Sequence, residues 1–399
     1  MKIVIFKKDE LRLLWPFYLY YLVFGLSIMI MPFLIIYFRD LGFSFLQISI
    51  ITSAFGISMF LFETPTGAFA DSISRKYSVI LGFVLTGVAV ALMPLFTSFY
   101  TLLILWVLAG IGMTFVSGAE EAWVIDNLNH YERKDLHQEY FIKSSSLASF
   151  GAVFAPILGA VIVKSHPIST LWYVFGFGFL LNAIILSAFA KEAYKPEKVS
   201  FIKTMKQTFD NSRKGLKFTF THKIVFLLTL GGIFSFLMTI GDTGWQPFLV
   251  SLSMPRYALG IMFSIGAAIM MITPFLSKLF VKMKVKNVLA VTTLFRMLLL
   301  LSILFIYPPF YLVAAIIYVL DDGLRGLKDP LLQTYFHRFV PETIRATVVS
   351  VGSMLTRITI ALASLAAGAL MDILGPQKII GIGSLFGVFA IATYLKIKD

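Results

Sequence analysis

Five carboxylates interrupt otherwise apolar stretches of this chain: Glu120, Glu121, Asp242, Asp321 and Asp322. Arg296, Arg325 and Arg357 stand in similar surroundings. A charge inside such a stretch is costly, so it faces a water-filled cavity or pairs with an opposite charge. Asp321 and Arg325 are spaced i, i+4, and Asp322 and Arg325 i, i+3, which puts both pairs within reach along one helix. A carboxyl shielded from water takes up a proton more readily than one in bulk solvent. A proton and a cationic solute can then compete for the same group. Asp242 with the Asp321/Asp322 pair is the first choice for proton carriers. The competing reading is that Arg325, Arg296 or Arg357 locks each aspartate into a structural ion pair. Trp123 and Trp245 lie close in sequence to the acidic residues, and aromatic faces favour lipophilic cations. The plainer reading of such rings is an interfacial or lipid-facing belt.

The elements that must hold these groups follow from composition. The chain is 58% hydrophobic and 14% charged, whereas a soluble protein carries about 25% charged residues. A bilayer span needs about 20 apolar residues. Spans are expected near 12–38, 44–70, 77–97, 99–126, 138–163 and 169–190. A second set is expected near 222–250, 257–280, 287–306, 309–335, 344–371 and 377–396. The apolar runs are continuous rather than alternating, which argues against a β-barrel. The expectation is an all-α membrane protein with twelve transmembrane helices in two pseudo-symmetric six-helix halves, 1–190 and 222–399. The segment 191–221 is read as a basic amphipathic linker lying on the anionic inner leaflet, or more simply as a tether.

The net charge of +13 is not spread evenly. With the N-terminus inside, the external turns carry only Arg39, Lys164, Arg256 and Lys378, and nearly all other basic residues fall on the inner side. That bias predicts both termini in the cytoplasm and assigns the positive charge to the membrane rather than to nucleic acid. The first apolar run is read as a retained span and not a signal peptide. With no cysteine, disulfides and thiolate metal sites are excluded. The five histidines fall mostly in loops or at span ends, so no metal site or cofactor is expected. No H-E-x-x-H and no P-loop is present. An intramembrane aspartic protease would want G-x-G-D, but Thr239-Ile240-Gly241-Asp242 lacks the first glycine, so no enzyme is expected.

Between the second and third spans runs Gly67-Ala68-Phe69-Ala70-Asp71-Ser72-Ile73-Ser74-Arg75-Lys76. It resembles the signature loop of the major facilitator superfamily, G-x-x-x-D-x-x-G-R-K, with Ser74 in place of the second glycine. The resemblance implies a cytoplasmic gate of Gly67, Asp71, Arg75, Lys76 and Asp126, with Gly67 allowing a close helix approach. In span five, Gly151-Ala152-Val153-Phe154-Ala155-Pro156-Ile157-Leu158-Gly159-Ala160 is similar to the superfamily's antiporter motif, with two alanines for glycines. Gly151, Ala155 and Gly159 make a small face suited to packing on span eight, and Pro156 can bend the helix. Glu63-Thr64-Pro65-Thr66-Gly67 is echoed by Ile272-Thr273-Pro274-Phe275, a weak internal repeat. Many drug exporters of the superfamily carry an arginine where this chain has Trp106.

Together these features resemble the drug:proton antiporter branch. That resemblance implies a monomeric carrier in the cell membrane exporting small lipophilic or cationic compounds against a coupling ion, expected to be the proton. In this architecture spans four, seven and ten line the central cavity, where Glu120, Glu121, Asp242, Asp321 and Asp322 fall. The alternative is an organic-anion or lipid transporter of the same fold using Arg296, Arg325 and Arg357.

Overall fold

The structure, a computed structural model, describes residues 6–193, 213–280 and 282–397, and among these the regular elements are all helices. The long segments are α1 (Glu10–Asp40), α2 (Phe45–Ser72), α3 (Arg75–Leu95), α4 (Phe99–His130), α5 (Lys134–Ser165) and α6 (Thr170–Phe189). They continue as α7 (Lys223–Ser251), α8 (Arg256–Phe280), α9 (Val285–Phe305), α10 (Tyr311–His337), α11 (Arg345–Leu374) and α12 (Pro376–Leu395). All but α10 are long and apolar enough to cross a bilayer. α10 is as long but carries Asp321, Asp322, Arg325, Lys328 and Asp329. Eleven of the twelve expected spans are thus matched by helices apolar enough to cross, and the tenth by a helix of similar length, among the described residues.

The linker reading falls mostly on residues 194–212, outside the described residues. Those include Lys195, Lys198, Phe201, Lys203, Met205, Lys206 and Phe209. Of the linker's described parts, 213–221 is helical and 191–193 is not.

Four of the helices are interrupted among the described residues, α12 among them, at Ser384 and Leu385. α1 passes through a 3-10 turn at Ile28–Phe33 that holds Pro32. α4 breaks at Ser117 and Gly118; Gly118 adopts φ +74, a left-handed backbone that a side chain would strain. α7 breaks before Asp242–Gly244, another short 3-10 turn. Two of these breaks stand beside acidic residues, since Glu120 lies in the first turn of the second piece of α4 and Asp242 opens the turn in α7.

The chain forms two compact units. Unit 1 comprises Met1–Met31 and Ala54–Met205, and unit 2 comprises Pro32–Ser53 and Lys206–Asp399. In unit 1, α1 packs on α5 and α6, and α3 packs on α4 and α6. In unit 2, α7 packs on α11 and α12, and α9 packs on α10 and α12. Shifting each helix number by six maps the first set of pairs onto the second. This is the repeat that the two Thr-Pro segments hint at.

α1 and α5 come very close in unit 1: a Cβ on Gly151 would lie 2.3 Å from the Gly25 Cα. Only two glycines facing each other permit it. On this small face, Gly151 meets Gly25 of α1. Ala155 and Gly159 on the same face are buried, and α5 stays one continuous helix through Pro156.

Unit 2 also holds the start of α2. The Asp372 carboxylate of α11 accepts from the backbone N–H of Phe45 at 2.7 Å and of Leu46 at 3.0 Å. It satisfies two donors that a helix start leaves open. Nearby, Arg256 grips Asp40 at 2.6 and 2.9 Å.

Candidate functional site

The signature loop is built around Ser74. Its backbone is extended, and its hydroxyl accepts from the Tyr77 N–H at 3.1 Å, so it caps α3. A glycine could make the turn but not this bond. Arg75 then reaches back to Asp126 of α4, with which it makes a short ion pair, and to Asp71 at 3.4 Å. The Lys76 ammonium donates to the Ser187 and Ala190 carbonyls at 2.8 and 2.6 Å, neutralising the negative end of α6.

Glu192 completes the cluster and was not among the residues singled out from sequence. It accepts from the Arg75 N–H at 2.8 Å and the Lys76 N–H at 3.3 Å, and also from the Ser74 hydroxyl. It sits among lysines just past α6, where it reads as one more linker charge. Gly67, by contrast, has no described atom within 4 Å of where its Cβ would be.

The second group lies at the break in α4. Glu120 is 3% exposed. Its two oxygens accept from Tyr21 of α1 at 3.0 Å and Tyr140 of α5 at 2.8 Å, and the two hydroxyls are 3.3 Å apart. Among the described residues its hydrogen bonds come from these phenols, and no Lys, Arg or His nitrogen pairs with it. Tyr20 packs on Tyr21 with centroids 4.5 Å apart, Phe24 and Phe83 pack on Tyr20, and Phe179 packs on Phe24. Glu121, on the next position of the helix, is exposed.

The third group lies in unit 2, where the opposite logic holds. Asp321 takes a bidentate contact from Arg296 of α9 at 2.8 and 3.1 Å, and Arg325 Nε adds a third at 3.1 Å. Arg325 extends to both oxygens of Asp242 at 3.2 and 3.1 Å, and lies 3.9 Å from Asp322. One turn along α10 from Arg325, the Lys328 ammonium is 3% exposed and donates to the Ser235 hydroxyl of α7. Arg296 and Asp321 are buried as a pair, 2% and 3% exposed, whereas Asp242 and Arg325 are reached by solvent. Trp245 is buried beside this group, with its ring 5.2 Å from Tyr318.

Asp321 is paired with two arginines, as the ion-pair reading has it, and Asp242 and Asp322 face the same Arg325 at 3.1 and 3.9 Å. Arg357 pairs with none of the aspartates; it lines a separate cavity in unit 2. Lys328 was missed because, next to Asp329, it looks like part of an ordinary charged span end. Trp106, in the place of the exporters' arginine, is a packing residue between Phe55 and Trp172 at 5.2 and 5.5 Å.

Repeated six-helix units, interrupted helices and ionisable groups at the interruptions define a multi-pass membrane transport protein. The family model of the Major Facilitator Superfamily matches residues 17–364, so the chain belongs to that superfamily. It is 24% identical over 378 residues to an uncharacterized MFS-type transporter, YxaM, of Bacillus subtilis (strain 168), covering 92% of each chain. Among solved structures it is similar to the nucleoside transporter NupG, with TM-score 0.75, 15% identity and coverage of 95% of this chain and 98% of that one. A bacterial homolog of the human lysosomal transporter Spinster gives TM-score 0.75 at 16% identity, with coverage of 98% and 97%. A bacterial homologue of the iron transporter ferroportin gives 0.74 at 15%, with coverage of 97% and 98%.

Proposed function

We propose that this superfamily member is a secondary active transporter that exports small lipophilic cations in exchange for protons. One observation carries the reading: Glu120 is a buried carboxylate held by two phenols, with no cation paired to it among the described residues. A proton or a cationic solute supplies the missing charge, and the two exclude one another. The aromatic rings around Tyr21 suit a lipophilic body, and cation–π contact adds to the attraction. In unit 2, Asp242 and Asp322 share Arg325 and are the exchangeable carboxylates, while Asp321 is fixed.

The Asp71–Arg75–Asp126 cluster acts as the cytoplasmic latch of alternating access, with the termini in the cytoplasm of a cell-membrane monomer. The basic linker rests against anionic lipid.

Proteoliposomes loaded with a pH-sensitive dye test this. Tetraphenylphosphonium or ethidium added under an imposed pH gradient should drive proton flux in the parent protein. Glu120→Gln should abolish it, and Asp242→Asn or Asp322→Asn should reduce it. Undiminished flux in Glu120→Gln would remove the reading's central support.

A further inference from the structure

Unit 2 contains a cavity of ≈ 500 Å³ among α7, α10 and α11. Asp242, Asp321 and Asp322 do not line it. Its polar lining includes Arg357, His337, Gln333 and Thr229, and Leu332 and Phe336 contribute apolar wall. No acidic side chain is among its lining residues. Every charged or polar group there is either cationic or able to donate a hydrogen bond.

Two further observations point to a ligand. Arg296 and Arg325 are consumed by aspartates, whereas Arg357 has no carboxylate within 4 Å among the described residues. The Thr229 hydroxyl oxygen is buried, and no hydrogen-bond partner is described for it. Such groups are normally satisfied, so an orphan at a cavity wall asks for one. The volume falls in the range of small-molecule sites, about 300–1,000 Å³.

We propose that this cavity binds a small organic anion, a carboxylate or phosphate head on an apolar tail, with Arg357 as the anchor. A guanidinium meets such a head with two parallel hydrogen bonds. Leu332 and Phe336 receive the tail. The ligand is either a solute or an anionic membrane lipid, which share this chemistry. The site is independent of the Glu120 reading, because it lies in the other unit and selects the opposite charge.

The test uses the full chain in phosphatidylcholine nanodiscs with tritiated octanoate, read by scintillation proximity. The parent should bind saturably. Arg357→Gln should weaken binding at least about tenfold, the loss expected when one charge-assisted contact is removed. Arg357→Lys should recover part of it, and Leu332→Trp should block it by filling the cavity. Unchanged melting temperature in each variant shows that folding is intact. Nanodiscs containing phosphatidylglycerol separate the sources: competition identifies lipid as the occupant, and its absence identifies a solute. Absence of saturable binding in the parent, or equal affinity in Arg357→Gln, overturns the proposal.

Discussion

At the scale of single residues, the two units treat buried charge in opposite ways, and the difference is measurable as stability. Arg296 is 2% exposed and holds Asp321 with two bonds. Arg296→Met should cost up to about 3 kcal/mol, because it removes two of the bonds to a buried carboxylate and leaves that carboxylate to Arg325. Removing both partners as Arg296→Met with Asp321→Leu should cost far less than the single change, read as melting temperature in detergent. Asp242, with its side chain 44% exposed, should tolerate Asn with little loss of stability while transport falls. If stability drops as far as for Arg296→Met, Asp242 is a structural partner and not an exchangeable group.

Part of this was legible in sequence. The i, i+4 spacing of Asp321 and Arg325 announces their pairing. Arg296 lies 25 residues from Asp321, and nothing in spacing connects them. Glu120 was visible as an acid in a span, but its phenol partners come from α1 and α5 and needed the fold.

At the scale of elements, placement of the site depends on where helices stop. Gly118, at φ +74, breaks α4 one position before the piece that carries Glu120. Gly118→Ala should cost about 1–2 kcal/mol through the left-handed backbone. It should also slow transport beyond that loss by re-aiming Glu120. A melting curve and the dye assay on the same preparation separate the two effects, and unaltered transport would mean the break has no part in it.

Ser74 gives the counterpart at the signature loop. Ser74→Ala should destabilise by about 1 kcal/mol, the worth of an N-cap, and Ser74→Gly by less. A melting temperature unmoved by Ser74→Ala would show that Glu192 alone secures the start of α3. The departure from the superfamily's glycine was readable in sequence as a departure. Its meaning was not, because Glu192 meets Ser74 from the far end of α6.

At the scale of the whole molecule, twelve spans were legible because continuous apolar runs between charged turns leave little choice in a bilayer. The packing partner of Gly151 was not, since a small-residue face says that a helix comes close and not which one. Gly151→Leu should prevent accumulation of folded protein, because the Gly25 backbone leaves no room for a side chain. Normal expression and a monodisperse elution profile would contradict the α1–α5 contact.

The tie between Asp372 and the start of α2 joins residues 327 apart in sequence. Ribosomes add about 5–20 residues each second, so the Phe45 N–H waits about 15–65 s after its own synthesis before its acceptor exists. During that interval residues 32–53 are already made while most of the unit they belong to is still unmade. Biogenesis of this chain therefore ends where it began, with the last spans returning to claim a piece of the first two.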